Sequence, residues 1–436
     1  MGSARGIRYG IRGNITRGDA NGGARSLGKA GVLTSFFGWL DYSEQDQRRV
    51  RDAIDLFREK GTLDELGVGA VRDAFADMLF PGTSTIQTRA RYFLLIPWIY
   101  RKLEDLRFPS SQIAQRARAE EINLIKQLAK APDTTGVIGI DARDRLRRLP
   151  SGIYWQGLRT WGIRLFGGSL QEYHRSLDGY QAAIRNIQRD DDGEPVHGAL
   201  PRNWHAGLPY RSRDFPWGAT LDLTTVDAEY LRERIVTSCP GTLLAVLADR
   251  EETHEPVAFP WRHPQLGEFP DAIRRQIAHA RNFSETMHGS ALLYNLMLAE
   301  GLGREDWIEM YRRRLDVWST LLANRGEQLA RWDRAEFWSV VDTQGYGASA
   351  RTRQFIDAWI DLALSVQPLV DDPSARALIH ERERTVKRAQ ARLDNRRSLE
   401  LWGGASGAAQ LDFRWRNAQT HLRDIRSALR QGDAVA

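Results

Sequence analysis

Two stretches of this chain gather residues able to hold a phosphate, and a third pairs an acid with a histidine. In PGTSTIQTRARYF (81–93) the hydroxyls of Thr83, Ser84, Thr85 and Thr88 lie beside Arg89 and Arg91, where a helix is expected to start. A helix N-terminus offers unpaired N–H donors and a partial positive charge, which together suit an anion. The competing reading is a turn and a cap followed by a buried helix with outward arginines, although one cap needs fewer hydroxyls. From 141 to 177 the chain carries Arg143, Arg145, Arg147, Arg148, Arg159, Arg164 and Arg175 against Asp141, Asp144 and Glu172, a local net charge of +4. Tyr154, Trp155, Trp161, Phe166 and Tyr173 are interleaved with them. Basic side chains hold a nucleic-acid backbone while aromatic rings stack on bases or wedge between them. The competing reading makes the aromatics core and the arginines a solvated face.

HARNFSETMHG (279–289) sets Glu285 and His288 three residues apart, on one face of a helix, with His279 upstream. That spacing occurs in carboxylate-bridged metal sites of helical bundles, which also need matching acids from other helices; no second copy of the pattern is present. Otherwise His288 is a hydrogen-bonded core residue. Asp190, Asp191, Asp192 and Glu194 form an acid run, and His197 before NWHAGLP and His205 within it could join Asp222 in a site. Acid runs in loops are ordinarily solvated, and a cation needs fixed geometry. GARSLGK (23–29) has the spacing of a phosphate loop, but Ala30 stands where a magnesium-holding hydroxyl is needed and no strand precedes it. An acid-x-Lys nuclease ending, H-E-x-x-H, paired CxxC and G-x-S-x-G are all missing. No metal site and no cofactor is expected.

These residues need elements to position them. With 42% hydrophobic and 27% charged residues in 436, the chain can bury a sizeable core and has the length of two domains. A single cysteine, Cys239, excludes an internal disulfide framework and, with no signal peptide, points to the reducing cytoplasm. The longest apolar run, Tyr92 to Tyr100, is about half of a bilayer crossing, so no membrane partner is expected. The net charge of +6 is unevenly placed. Residues 1–30 hold Arg5, Arg8, Arg12, Arg17, Arg25 and Lys29 against Asp19, which leaves 56 basic and 55 acidic residues elsewhere. A disordered basic tail over 1–30 is expected, able to hold phosphates without specificity.

Beyond the tail, Ser43 caps a helix ending at Gly61, and Val71, Ala74, Phe75, Met78 and Leu79 mark another, halted by Pro81-Gly82. A third runs through Arg91, with Pro97 bending or ending it, and a fourth covers 110–130. TTGVIGI (134–140) reads as a short strand, and a strand pair is expected at Leu243–Leu247 and Pro256–Phe259. Three short helical segments with glycine turns over 141–177, the second capped by Ser151 and the third by Ser169, have the lengths of a helix-turn-helix-like unit. The Pro-, Gly- and Asp-rich stretch 189–220 reads as a linker or functional loop between an N-terminal helical domain (31–188) and a C-terminal one (221–436). In the second, helices are expected at about 225–237, 270–300, 304–325, 328–340, 350–366, 371–400 and 411–430. LWGGASGAAQLDFRW (401–415) is a glycine-rich turn before the last of these. The fold class is mainly α, in two helical parts with a few short strands.

SFFGWLDYSEQDQRRVRDAIDLF and LFPGTSTIQTRARYFLLIPWIY, between Ser35 and Tyr100, resemble the opening of a bacterial family, domain of unknown function 6361. The likeness continues through RRLPSGIYWQGLRTWGI, NWHAGLP, FSETMHGSALLYNLMLAE and NRRSLELWGGASGAAQLDFRW, to about Ile425. The resemblance implies a setting in phage defence, beside helicase and nuclease partners. A cytoplasmic DNA-interacting or scaffold subunit follows, with Arg89, Arg91, Arg143, Arg147, Arg148, Arg159 and Arg164 on phosphates and Trp155 and Trp161 on bases or in the core. The alternatives are an enzyme of unrecognised type using Glu285 and His288 or the 190–205 acids and histidines, such as a metal-dependent nuclease, and a pure protein-interaction subunit.

Overall fold

The longest stretch of helical apolar spacing becomes the longest helix, and half of the molecule is built around it. The computed structural model describes residues 64–186, 202–250, 255–365 and 369–433. Their helices are α1 (Gly69–Leu79), α2 (Tyr92–Asp105), α3 (Ser110–Leu128), α4 (Pro150–Thr160), α5 (Leu170–Arg185), α6 (Thr225–Ser238), α7 (Leu243–Asp249), α8 (Asp271–Leu302), α9 (Glu305–Ala323), α10 (Gly326–Ala330), α11 (Arg334–Asp342), α12 (Ala350–Ser365), α13 (Pro373–Lys387), α14 (Arg396–Glu400) and α15 (Trp415–Asp433). The expected tail over 1–30, the helix over 43–61 and residues 187–201 of the loop lie outside the described residues. Among the described residues no helix is long and apolar enough to cross a membrane.

The 32 residues of α8 span about 48 Å at 1.5 Å per residue, and Gly303 in the left-handed conformation ends it. Helices α1, α9, α12, α13 and α14 pack around it. Gly289 is what lets α9 approach: a Cβ there would stand 2.1 Å from the Trp318 ring, whose Nε1 donates to the Glu285 carbonyl at 2.7 Å. In the other half α2 is buried from Tyr92 to Tyr100 and packs on α3 and α4. Pro97 does not end this helix, which runs on to Asp105. Tertiary packing on every side holds it despite one missing hydrogen bond.

The described residues all belong to one compact unit. Helix α15 packs on α6 and reaches back to the 81–91 segment. Asn417 Nδ2 donates to the Gln87 carbonyl at 2.7 Å, and Asp424 accepts from Arg89 Nε at 3.0 Å and Ala90 N at 2.9 Å.

Three local expectations are corrected. The stretch 134–140 is a series of turns, because Gly136 and Gly139 take positive φ (86° and 76°) and the Ile138 and Gly136 backbone groups bond Tyr92 and Thr88 side chains. Leu243–Leu247 is helical, in α7, with Thr242 accepting from Ala245 N as its cap, while Val257 bonds the Gln419 amide in place of a strand. The only pairing outside helices among the described residues is an isolated antiparallel bridge between Arg164 and Trp204. Of the three segments in 141–177, the first is only a 3-10 turn at Arg143–Arg145, and the other two are α4 and α5.

Candidate anion-binding site

The helix α15 forms because WRNAQTHLRDIRSALRQ holds no proline and places Trp415, Ala418, His421, Leu422, Ile425 and Ala428 at helical spacing, all buried. The same period sends Arg416, Gln419, Thr420, Arg423, Arg426, Ser427 and Arg430 to the opposite side. Those side chains, with Leu247, Pro256, His263, Trp415 and Leu422, line a cavity of about 230 Å3. Four arginines and three neutral hydrogen-bonding side chains of one helix border it, and among the described residues no acid does. Among the described residues Arg416, Arg423 and Arg426 make no ion pair. Arg426 Nη2 donates to the Leu247 carbonyl at 2.6 Å, but its Nε–H is buried without an acceptor. Burial, and then Arg430 one turn away, push the Arg426 guanidinium below its ordinary value. A buried donor left unsatisfied costs about 1–3 kcal/mol, and like charges at i,i+4 add to it. An anion between these guanidiniums removes the like-charge repulsion.

The residues nominated from sequence are placed differently. Arg89 lies against Asp424, Asp133 and Asp222, and Arg91 against Asp227 and the Asp222 carbonyl, both side chains largely buried. Thr83 Oγ1 donates to the Phe80 carbonyl, the Ser84 hydroxyl is buried without a partner, and Thr85 is exposed. The hydroxyl-rich turn is thus a seam against α15, where His421 meets Gln87 at 3.2 Å. Trp161 is fully buried, stacked on Phe93 with ring centroids 3.8 Å apart, and Trp155 is buried beside Tyr173 and Trp204. Arg164 is 1% exposed, lies over the Trp155 ring and donates to the Trp155, Phe166 and Gly168 carbonyls, so it staples the α4–α5 turn from within. Arg143, Arg147 and Arg159 are exposed and Arg148 is half-buried. The structure therefore separates the nominated arginines into internal clasps and a surface patch near α4.

Glu285 and His288 share a face of α8 but have separate partners. Glu285 is buried between Arg281 and Arg325, and His288 Nε2–H donates to the Ala408 carbonyl at 3.3 Å. Burial pushes the His288 imidazole down to about 4. Asp190, Asp191, Asp192, Glu194 and His197 lie outside the described residues; His205 packs on Tyr230. A second buried cluster joins Glu65, Tyr294, Glu383, Lys387 and Arg392. Burial alone would raise the Glu383 carboxyl, but Tyr294 and the Leu393 and Arg392 backbone donors bring it below its ordinary value. Two acids match two cations there, which makes it a self-satisfied brace.

The arginine face of α15 was missed from sequence although its signal is present, an arginine at 416, 423, 426 and 430 on one side of an expected helix. Against known proteins, a family model described as Family of unknown function (DUF6361) matches residues 34–428. No curated protein and no solved structure matches the chain.

Proposed function

The chain belongs to that family, a membership that assigns no activity, and from the geometry we propose that it is a DNA-interacting protein whose α15 arginines receive backbone phosphates. One observation carries the reading: Arg416, Arg423 and Arg426 converge on a cavity that no acid among the described residues lines, while Arg89 and Arg91 have acids against them. Phosphate is the ligand group that matches several planar, permanently charged donors on one face. The exposed Arg143, Arg147 and Arg159 extend the same chemistry as a secondary patch. A role beside helicase or nuclease partners in phage defence, in the cytoplasm, is the setting we assign to this binding.

The test compares charge reversals by fluorescence anisotropy with labelled DNA at low salt. Arg423→Glu is expected to weaken binding at least ten-fold, and Arg147→Glu by a few-fold at most. Equal losses from both, or none from Arg423→Glu, would remove α15 as the site.

A further inference from the structure

A second cavity adjoins the first, of about 1140 Å3, and its walls differ in charge. Arg426 and Arg430 line both. The larger groove adds Glu229, Tyr230, Arg232 and Glu233 from α6, Asp249 and Arg250 at the end of α7, and the loop segment 206–210. Glu233 is paired with Arg234, and Arg250 with Glu268. The groove is therefore of mixed charge, with carboxylates set beside guanidiniums. Carboxylates accept from the amino groups of bases, as Asp and Glu do from cytosine. Acceptors for a base edge thus lie on α6 and α7, beside the α15 guanidiniums that suit a phosphate.

Tyr210 supplies the remaining part. Its side chain lines the groove and is 94% exposed, the largest exposure of any bulky apolar residue described. The backbone beneath it is held, because Trp98 Nε1 donates to the Pro209 carbonyl at 2.8 Å and Leu208 is buried. Phe215, further along the loop, packs edge-on against Trp98 with centroids 5.6 Å apart. A ring that no described residue covers, on a tethered backbone beside guanidiniums, is the arrangement on which bases stack. Bases of a duplex are already paired and stacked inside, and reach such a ring only when extruded.

We infer that the groove between the 206–210 loop and α6 receives an unpaired base stacked on Tyr210, so that the nucleic acid held by this protein is single-stranded. The inference rests on the phosphate role of α15. Three labelled DNA probes of equal length test it with the full chain by anisotropy: a single strand, an abasic strand with the same phosphates, and a duplex. Wild type is expected to bind the single strand about five- to hundred-fold more tightly than the abasic strand, the range for one stacked base. Tyr210→Ala should bring that ratio close to one while leaving abasic and duplex binding unchanged, and Tyr210→Phe should keep it. A wild-type ratio near one, or a ratio that Tyr210→Ala leaves intact, overturns the base pocket alone. Loss of abasic binding in Arg423→Glu reports the phosphate reading separately, and no binding of any probe overturns both.

Discussion

Neutralising the α15 face should flatten the salt dependence of DNA binding by an amount that can be worked out beforehand. The variant combines Arg416→Ala, Arg423→Ala and Arg426→Met. The first two positions are exposed on a helix, where alanine is the best helix former, and methionine keeps an apolar stem where Arg426 is half-buried. The helix should therefore survive. Each phosphate neutralised on single-stranded DNA contributes about 0.7 to the slope of log K against log salt, so three contacts contribute about 2.1. Raising salt from 50 to 200 mM changes its logarithm by about 0.6, and these contacts alone then weaken binding about twenty-fold. Anisotropy titrations with a single strand across that range should show the variant's slope shallower by about 2. Residues 1–30 and the patch near α4 contribute equally to both proteins and cancel in the difference. Parallel slopes, with the variant still folded by circular dichroism, would refute the assignment.

Glu121 gives a pH-dependent stability of predictable sign. It is fully buried and accepts from Ser151 N at 2.8 Å and Ser151 Oγ at 2.7 Å, yet burial lifts its carboxyl from 4.5 to about 7. The folded state then binds the proton more tightly, so this stabilisation is present below pH 4.5 and is lost as pH rises through 7. At 1.36 kcal/mol per pH unit the whole effect is about 3 kcal/mol; denaturation of Glu121→Gln and wild type at pH 5 and pH 8 should show the variant's relative stability rising with pH. Asp424→Ala leaves Arg89 Nε–H and Ala90 N without their acceptor and should cost about 3 kcal/mol in urea denaturation. Gly289→Ala drives a methyl group into the Trp318 ring and should cost about 1–3 kcal/mol, read as a lower thermal midpoint; an unchanged midpoint would show that α9 can shift aside.

Most helices were legible because their evidence is local. The apolar period of Val71 to Leu79, the stop at Pro81-Gly82 and the cap at Ser169, which forms a capping box with Glu172, all appear in the structure. The failures were short apolar runs, where period cannot separate strand from helix: Leu243–Leu247 contains too few residues to decide. Ser151, expected as a cap, sits inside α4 and satisfies Glu121 from α3, a partner thirty residues upstream.

The candidate site shows where local evidence stops. Arginine and hydroxyl content pointed to 81–91 and 141–177, and the residues are there as described. Whether an arginine faces a ligand depends on what else lies within about 4 Å of it, and that is set by segments far away in sequence. Arg89 lies against Asp424, 335 residues downstream, and Arg164 turns inward onto carbonyls of its own turn. Arg416, Arg423 and Arg426 face a cavity to which no described residue brings an acid. Periodicity and caps are properties of neighbouring residues, so the chain carries its helices openly. Charge neutralisation is a property of contacts between distant segments, and only the assembled fold decides which cations keep their charge for a partner.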